Sequence, residues 1–207
     1  MDALLKEIKT SPFNRSGTFM CDSQLDSPLT TLALRLDRNS VKEINPKGDY
    51  DDLDKHYAKE VFEIIQSRVP EFQRSNDKWT SDMQVSFMRN ALMGNKANPV
   101  LFYDTSEDQN TRSLLDGLQR ITATARFFID RDMIFSLAGG QEISAEEIIS
   151  AGRNYAFWNN SIFPVKGYRF SNEIEAIDFY IAFNENITHS PEDINRAKAY
   201  RQTLLGR

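Results

Sequence analysis

Apolar residues recur along this chain with two periods, and most of its predicted elements follow from them. Leu32, Leu34 and Leu36 stand at every second position, which predicts a half-buried strand over residues 30–36. Residues 45–52 combine Pro46, Gly48 and several aspartates and read as a loop, after which Leu53, Tyr57, Val61, Ile64 and Ile65 fall on one face of a helix. Pro70 ends that helix, and because proline disfavours helical backbone in the residue before it, residues 69–74 are expected to be extended. The next helix opens at Thr80 or Ser81, carries Met83, Phe87, Met88, Ala91 and Leu92 on one side, and meets a natural stop at Gly94.

Residues 99–103 form a short apolar run with the character of a strand, and a second strand is expected over 113–115. The charged stretch between them, 104–111, reads as a hairpin or exposed loop, either a lid or a plain surface turn. From 117 to 129 the apolar residues Ile121, Ala125 and Phe128 recur at helical spacing, so Asp116 and Gly117 sit where a strand gives way to a helix. Further on, 146–151 is a short helix, 162–170 contains a strand, and Ile174, Ile177, Asp178 and Ile181 mark one face of another helix. The last helix opens with Ser190-Pro191-Glu192-Asp193, a cap residue, a proline at the first position and an acid at the third.

Length and composition narrow the class. A chain of 207 residues, 40% hydrophobic and 27% charged, has the composition of a soluble globular protein with one sizeable core, and a single domain over 1–207 is expected. No apolar run approaches the roughly 20 residues needed to cross a bilayer, residues 1–12 lack the basic start and apolar stretch of a signal peptide, and Cys21 has no cysteine partner. A cytoplasmic setting without membrane contact is expected. The net charge of −5 gives no overall attraction for DNA, so a DNA contact needs a local basic surface. The carboxyl end offers Arg196, Lys198, Arg201 and Arg207, although cations there also suit a helix dipole.

The chemistry concentrates at the strand-to-helix junction. A helix start presents backbone N–H groups that no helical partner takes, and these suit an anion such as phosphate, which the missing side chain of Gly117 lets approach closely. Asp116 can cap the helix or hold a divalent cation, and Arg120 can pair with phosphate oxygens through its planar fork. Gln119 and the hydroxyls of Thr122 and Thr124 add neutral hydrogen-bonding groups. Trp79, at the start of an amphipathic helix, reads as a packing anchor, and His56 as a residue of a solvated face.

The run Leu115-Asp116-Gly117-Leu118-Gln119-Arg120-Ile121-Thr122-Ala123-Thr124 resembles the D-G-Q-Q-R-L-T-T signature at the amino end of GmrSD-type modification-dependent restriction enzymes. More distantly it resembles the G-x-x-R-x-x-A box of ParB proteins, with Gly117, Arg120 and Ala123 in the matching places. Upstream, Val69-Pro70-Glu71-Phe72-Gln73-Arg74, then Trp79, Gln84 and Asn98-Pro99, is similar to the family's series; downstream, Phe183-Asn184 and Ser190-Pro191-Glu192-Asp193 agree in order. The three blocks span about residues 60–200, leaving 1–59 as an amino-terminal extension.

The resemblance implies an α+β domain of the ParB/sulfiredoxin type, with a small mixed sheet and surrounding helices. It implies a nucleoside triphosphate as ligand, Mg2+ or Mn2+ as cofactor with Asp116 on the metal, and hydrolysis or phosphate transfer in DNA restriction or phage defence. By position it assigns Asp116, Gln119 and Arg120 to catalysis, and Gln73, Arg74, Gly117, Thr122 and Thr124 to nucleotide binding. Leu118 departs from the pattern: where relatives place glutamine, glutamate or cysteine, this chain has a hydrocarbon that neither accepts a proton nor attacks phosphorus. With only His56 and His189, a full H-N-H nuclease site is not expected either. Two alternatives therefore stay open, a catalytically silent module that binds DNA or docks on a nuclease or defence complex, and a DNA nickase of the ParB-like type.

Overall fold

A computed structural model describes residues 28–48, 52–73, 78–93, 95, 98–105, 108–137, 139–152, 164–184 and 191–206. Within them the chain mixes helix and strand. Four helices come first, α1 (Pro28–Leu36), α2 (Arg38–Ile44), α3 (Lys55–Gln66) and α4 (Ser81–Leu92), followed by strands β1 (Val100–Thr105) and β2 (Asp108–Asp116) and by helix α5 (Leu118–Phe128). A two-stranded ribbon, β3 (Ile134–Ser136) with β4 (Glu142–Ser144), leads into α6 (Ala145–Gly152). Strand β5 (Val165–Phe170) and helices α7 (Glu173–Asn184) and α8 (Pro191–Leu205) complete the described chain.

The three-stranded sheet has the order β2-β1-β5, with β1 antiparallel to β2 and parallel to β5. Both faces of β1 are covered, which explains its unbroken apolar run. Because side chains alternate along a strand, Val100 and Phe102 enter a cluster formed with α1, α3, α5 and α6, whereas Leu101 and Tyr103 enter a second cluster with Phe72, α7 and α8. Leu114 and Leu115 of β2 divide between the two clusters in the same way.

Residues 30–36 are helical, which corrects the strand expected there. Leu29, Leu32, Ala33 and Leu36 are all buried and stand at i, i+3, i+4 and i+7, a helical stripe that the alternation of Leu32, Leu34 and Leu36 conceals, since Leu34 is only partly buried. The helix is fixed from a distance: the Asp52 carboxylate accepts the backbone N–H groups of Leu29 (2.9 Å) and Thr30 (3.2 Å) and the Thr30 hydroxyl. Asp52 thereby satisfies first-turn donors that the helix itself leaves without partners.

Residues 69–73 turn instead of extending, with the Gln73 N–H bonded to the Pro70 carbonyl at 3.0 Å. This turn seals the outer edge of β2, where the Leu114 N–H reaches the Arg68 carbonyl at 2.8 Å and the Gln73 side-chain amide donates to the Leu114 carbonyl. The stretch 104–111 belongs to the expected hairpin, with β1 continuing to Thr105 antiparallel to β2 from Asp108 and with register shifts before Phe102 and after Tyr103. The other predicted helices and strands lie where the pattern places them, and the stop expected at Gly94 falls outside the described residues. Thr80 caps α4 by accepting the Met83 N–H (3.3 Å), although the Met83 side chain is exposed rather than part of the apolar face. The ribbon β3–β4, too short to leave a periodic signal, was not legible in the sequence.

Candidate functional site

Asp116 is the last residue of β2, and Gly117 turns the chain into α5 with φ 110° and ψ 6°, a backbone that residues with a side chain rarely adopt. A methyl group at Gly117 would lie 2.9 Å from Val100 Cγ2, 3.2 Å from Val100 Cα and 3.1 Å from Arg120 Nη2. The glycine thus serves two ends locally, the positive φ and the close passage of β1. It provides no side chain to cap α5.

Arg120, one turn into α5, folds back over this junction. Its Nη2 donates to Asp116 Oδ2 at 3.0 Å and to the Pro99 carbonyl at 3.1 Å, so the guanidinium ties the end of β2 to the start of β1. Both members of the ion pair are largely enclosed, with 14% and 17% of their side-chain surfaces exposed. Two donors, both on Nη2, are thereby used of the five that a guanidinium carries. Arg120 Nε is buried and has no acceptor among the described residues.

The remaining candidates divide among different surroundings. Gln119 is buried and its Oε1 accepts the Trp79 N–H at 3.3 Å, which brings the tryptophan beside the motif. Trp79 itself packs on Phe87, with ring centroids 5.4 Å apart, in agreement with a packing role. The Thr124 hydroxyl donates to the Arg120 carbonyl at 2.9 Å and is spent within α5. Thr122 lies on another side of that helix, lining a groove of about 340 Å³ between α3 and α4 together with Phe62, Gln84 and Arg126. Gln73 is buried, held at Leu114 by its amide and at Arg196 by its carbonyl (3.2 Å). Arg74 lies outside the described residues, as do Cys21 and His189.

Compared with family models, with curated proteins and with solved structures, the chain matches none. The geometry is therefore the ground for any functional reading.

Asp116, Gly117 and Arg120 are the sequence candidates that the fold brings together; Gln73, Gln119 and Thr124 are held in contacts of their own, and Thr122 opens on a separate groove. Leu118 is buried in the main core cluster, a position open to a hydrocarbon and closed to a charged nucleophile. The Pro99 carbonyl was not foreseeable as a partner, because nothing in an Asn-Pro pair signals which side chain will reach its oxygen. Gln84, part of the upstream series, accepts from Arg126 Nη1 (3.0 Å), and Arg126 in turn forms a two-point pair with Asp132 (2.7 and 2.9 Å). At the carboxyl end Arg201 forms a like pair with Asp178 (2.6 and 3.1 Å), so this part of the basic stretch is already matched.

Among the described residues no group of three or more histidines, cysteines and carboxylates is placed to hold a metal ion. Asp116 is the carboxylate that Arg120 meets at the junction. Mg2+ commonly takes one or two protein carboxylates and completes its shell with phosphate oxygens and water, so this donor set fits a cation that arrives on a nucleotide and not one held by the protein alone.

Proposed function

We propose that this chain is a nucleoside-triphosphate-binding domain of the ParB/sulfiredoxin type, with phosphate bound at the β2–α5 junction, and that it works in DNA restriction or phage defence. The observation that carries the reading is the convergence of Asp116, Gly117 and Arg120 at a helix start without a side-chain cap, with Nε of a largely enclosed guanidinium unspent among the described residues. Arg120 would exchange its contact with Asp116 for phosphate oxygens, and Asp116 would hold the Mg2+ or Mn2+ that accompanies them. The bound cation supplies neutralisation of phosphate charge. The amides at the start of α5 add the positive end of the helix dipole.

A second reading is favoured by a specific observation: Leu118 offers no proton acceptor, and Gln119 already accepts from the Trp79 backbone. A chain built so binds without turnover, as a silent module docking on DNA or on a nuclease or defence-complex protein. Calorimetric titration with ATP, GTP and CTP in Mg2+, run beside a phosphate-release assay, separates the two. Arg120→Ala removes charge-assisted hydrogen bonds worth about 1.5–3 kcal/mol each, and so should weaken nucleotide binding at least tenfold. Because that variant strands the Asp116 carboxylate, Arg120→Lys, which keeps the charge and loses the planar fork, serves as a second probe. Unchanged affinity in both variants removes the nucleotide site from this junction.

A further inference from the structure

At the other end of β1 a second cluster has no part in the junction. Asp104 is buried, with only 6% of its side chain exposed, yet it serves two guanidinium groups at once. Arg169 of β5 donates from Nε to Oδ1 at 2.7 Å and from Nη2 to Oδ2 at 3.4 Å, while Arg112 of β2 donates from Nε to the same Oδ2 at 3.4 Å. One carboxylate matched by two guanidiniums leaves the trio with one net positive charge. Arg112 is fixed further by a bond from Nη1 to the Arg35 carbonyl (3.3 Å) and by the Phe102 ring, whose centroid lies 5.0 Å from its central carbon. The Phe102 ring in turn rests over Gly167, where any side chain would collide with it. Strand register sets Arg169 directly beside Asp104, so the arrangement spans all three strands of the sheet.

We infer that Arg112 and Arg169 form an anion site for a phosphoryl group, with Asp104 as the buried residue that holds the two forks in place. Among the described residues the second cation of the trio has no acid of its own, and it is Arg169, 60% exposed, with Asp104 as its single partner. Arg112, 34% exposed, has three N–H donors beyond those given to Asp104 and Arg35 among the described residues. Planar forks of this kind match phosphate oxygens in pairs, and a net charge of one is balanced by a phosphodiester monoanion or by monobasic phosphate. The site lies five residues along β1 from the Pro99 carbonyl that Arg120 holds, about 16 Å at strand spacing, so the two sites are separable by mutation.

The test follows the Nε–Hε resonances of Arg112 and Arg169 by nitrogen–proton NMR while the full chain is titrated with inorganic phosphate and, separately, with a short single-stranded oligonucleotide. Saturable shifts at both arginines are expected, and whether the oligonucleotide binds more tightly than phosphate tells a polynucleotide source from a free one. In Arg169→Ala, Asp104 and Arg112 are left as a neutral pair, and affinity should fall at least tenfold with the circular dichroism spectrum unchanged. Arg120→Ala, which weakens the junction, should leave the shifts at Arg112 and Arg169 and the affinity read from those two resonances as they are, which keeps this site distinct from the junction. Absence of shifts with either ligand, or equal affinity in Arg169→Ala, overturns the assignment.

Discussion

Replacing Gly117 with alanine tests whether this glycine is required by the fold before any ligand is considered. The added methyl group meets Val100 Cγ2 at 2.9 Å and the Val100 backbone at 3.2 Å, contacts that the start of β1 relieves only by moving. A φ of 110° is itself unfavourable for alanine. The backbone conformation contributes about 1–3 kcal/mol, and the overlap with a packed strand about 1–3 kcal/mol more. The expected loss is therefore about 2–6 kcal/mol. For a chain of this size each kcal/mol lowers Tm by about 2–4 °C, so a loss near 3 kcal/mol appears as a drop of roughly 6–12 °C. The measurement is urea and thermal unfolding of the nucleotide-free protein, followed by circular dichroism. A loss below about 1 kcal/mol would refute the packing argument and leave Gly117 with a role in ligand approach alone.

Three further outcomes follow from the described contacts. Asp52→Ala leaves the first-turn amides of α1 without their acceptor and should cost about 1–2 kcal/mol in urea unfolding; a neutral result would show that α1 is capped otherwise. Gln73→Leu strips the Leu114 carbonyl of its donor at the sealed edge of β2, at a cost of about 1–3 kcal/mol read from the same unfolding curves. Hydrogen bonding from Arg169, aided by the nearby charges of Arg169 and Arg112, holds the Asp104 carboxyl below its ordinary value of 3.8. A carboxylate whose folded value is depressed stabilises above its unfolded value and loses that contribution as pH falls through the folded one. Tm should accordingly decline from about pH 4 downward, and Asp104→Asn should flatten that acid limb; identical limbs would contradict the pairing.

Periodicity and punctuation made much of this chain legible. Thr80 before an amphipathic run, Pro70 after another, and Pro191 as the first residue of a helix placed helix ends by local chemistry, which depends on a few neighbouring residues and is therefore written in them. The apolar run at 99–103 likewise announced a strand, and the structure covers both of its faces. Leu32, Leu34 and Leu36 misled because leucines at both i+2 and i+4 satisfy two periods at once. Only the partners of Leu29, Leu32 and Leu36 in the core, and a cap contributed from Asp52, decide for helix.

The candidate site divides in the same way. That Asp116 and Gly117 stand between a strand and a helix was determined by the sequence alone, since Gly117 carries the turn and the helical period begins just after it. Which of the neighbouring polar residues face one another was decided by tertiary structure. Arg120 reaches Asp116 and Pro99, Gln73 closes a sheet edge, and Thr122 opens on a separate groove, because each direction depends on which strand or helix lies alongside. The pairing of Asp104 with Arg112 and Arg169 is of this second kind. Residues 65 positions apart meet only when β5 returns parallel to β1, and no local pattern encodes that register.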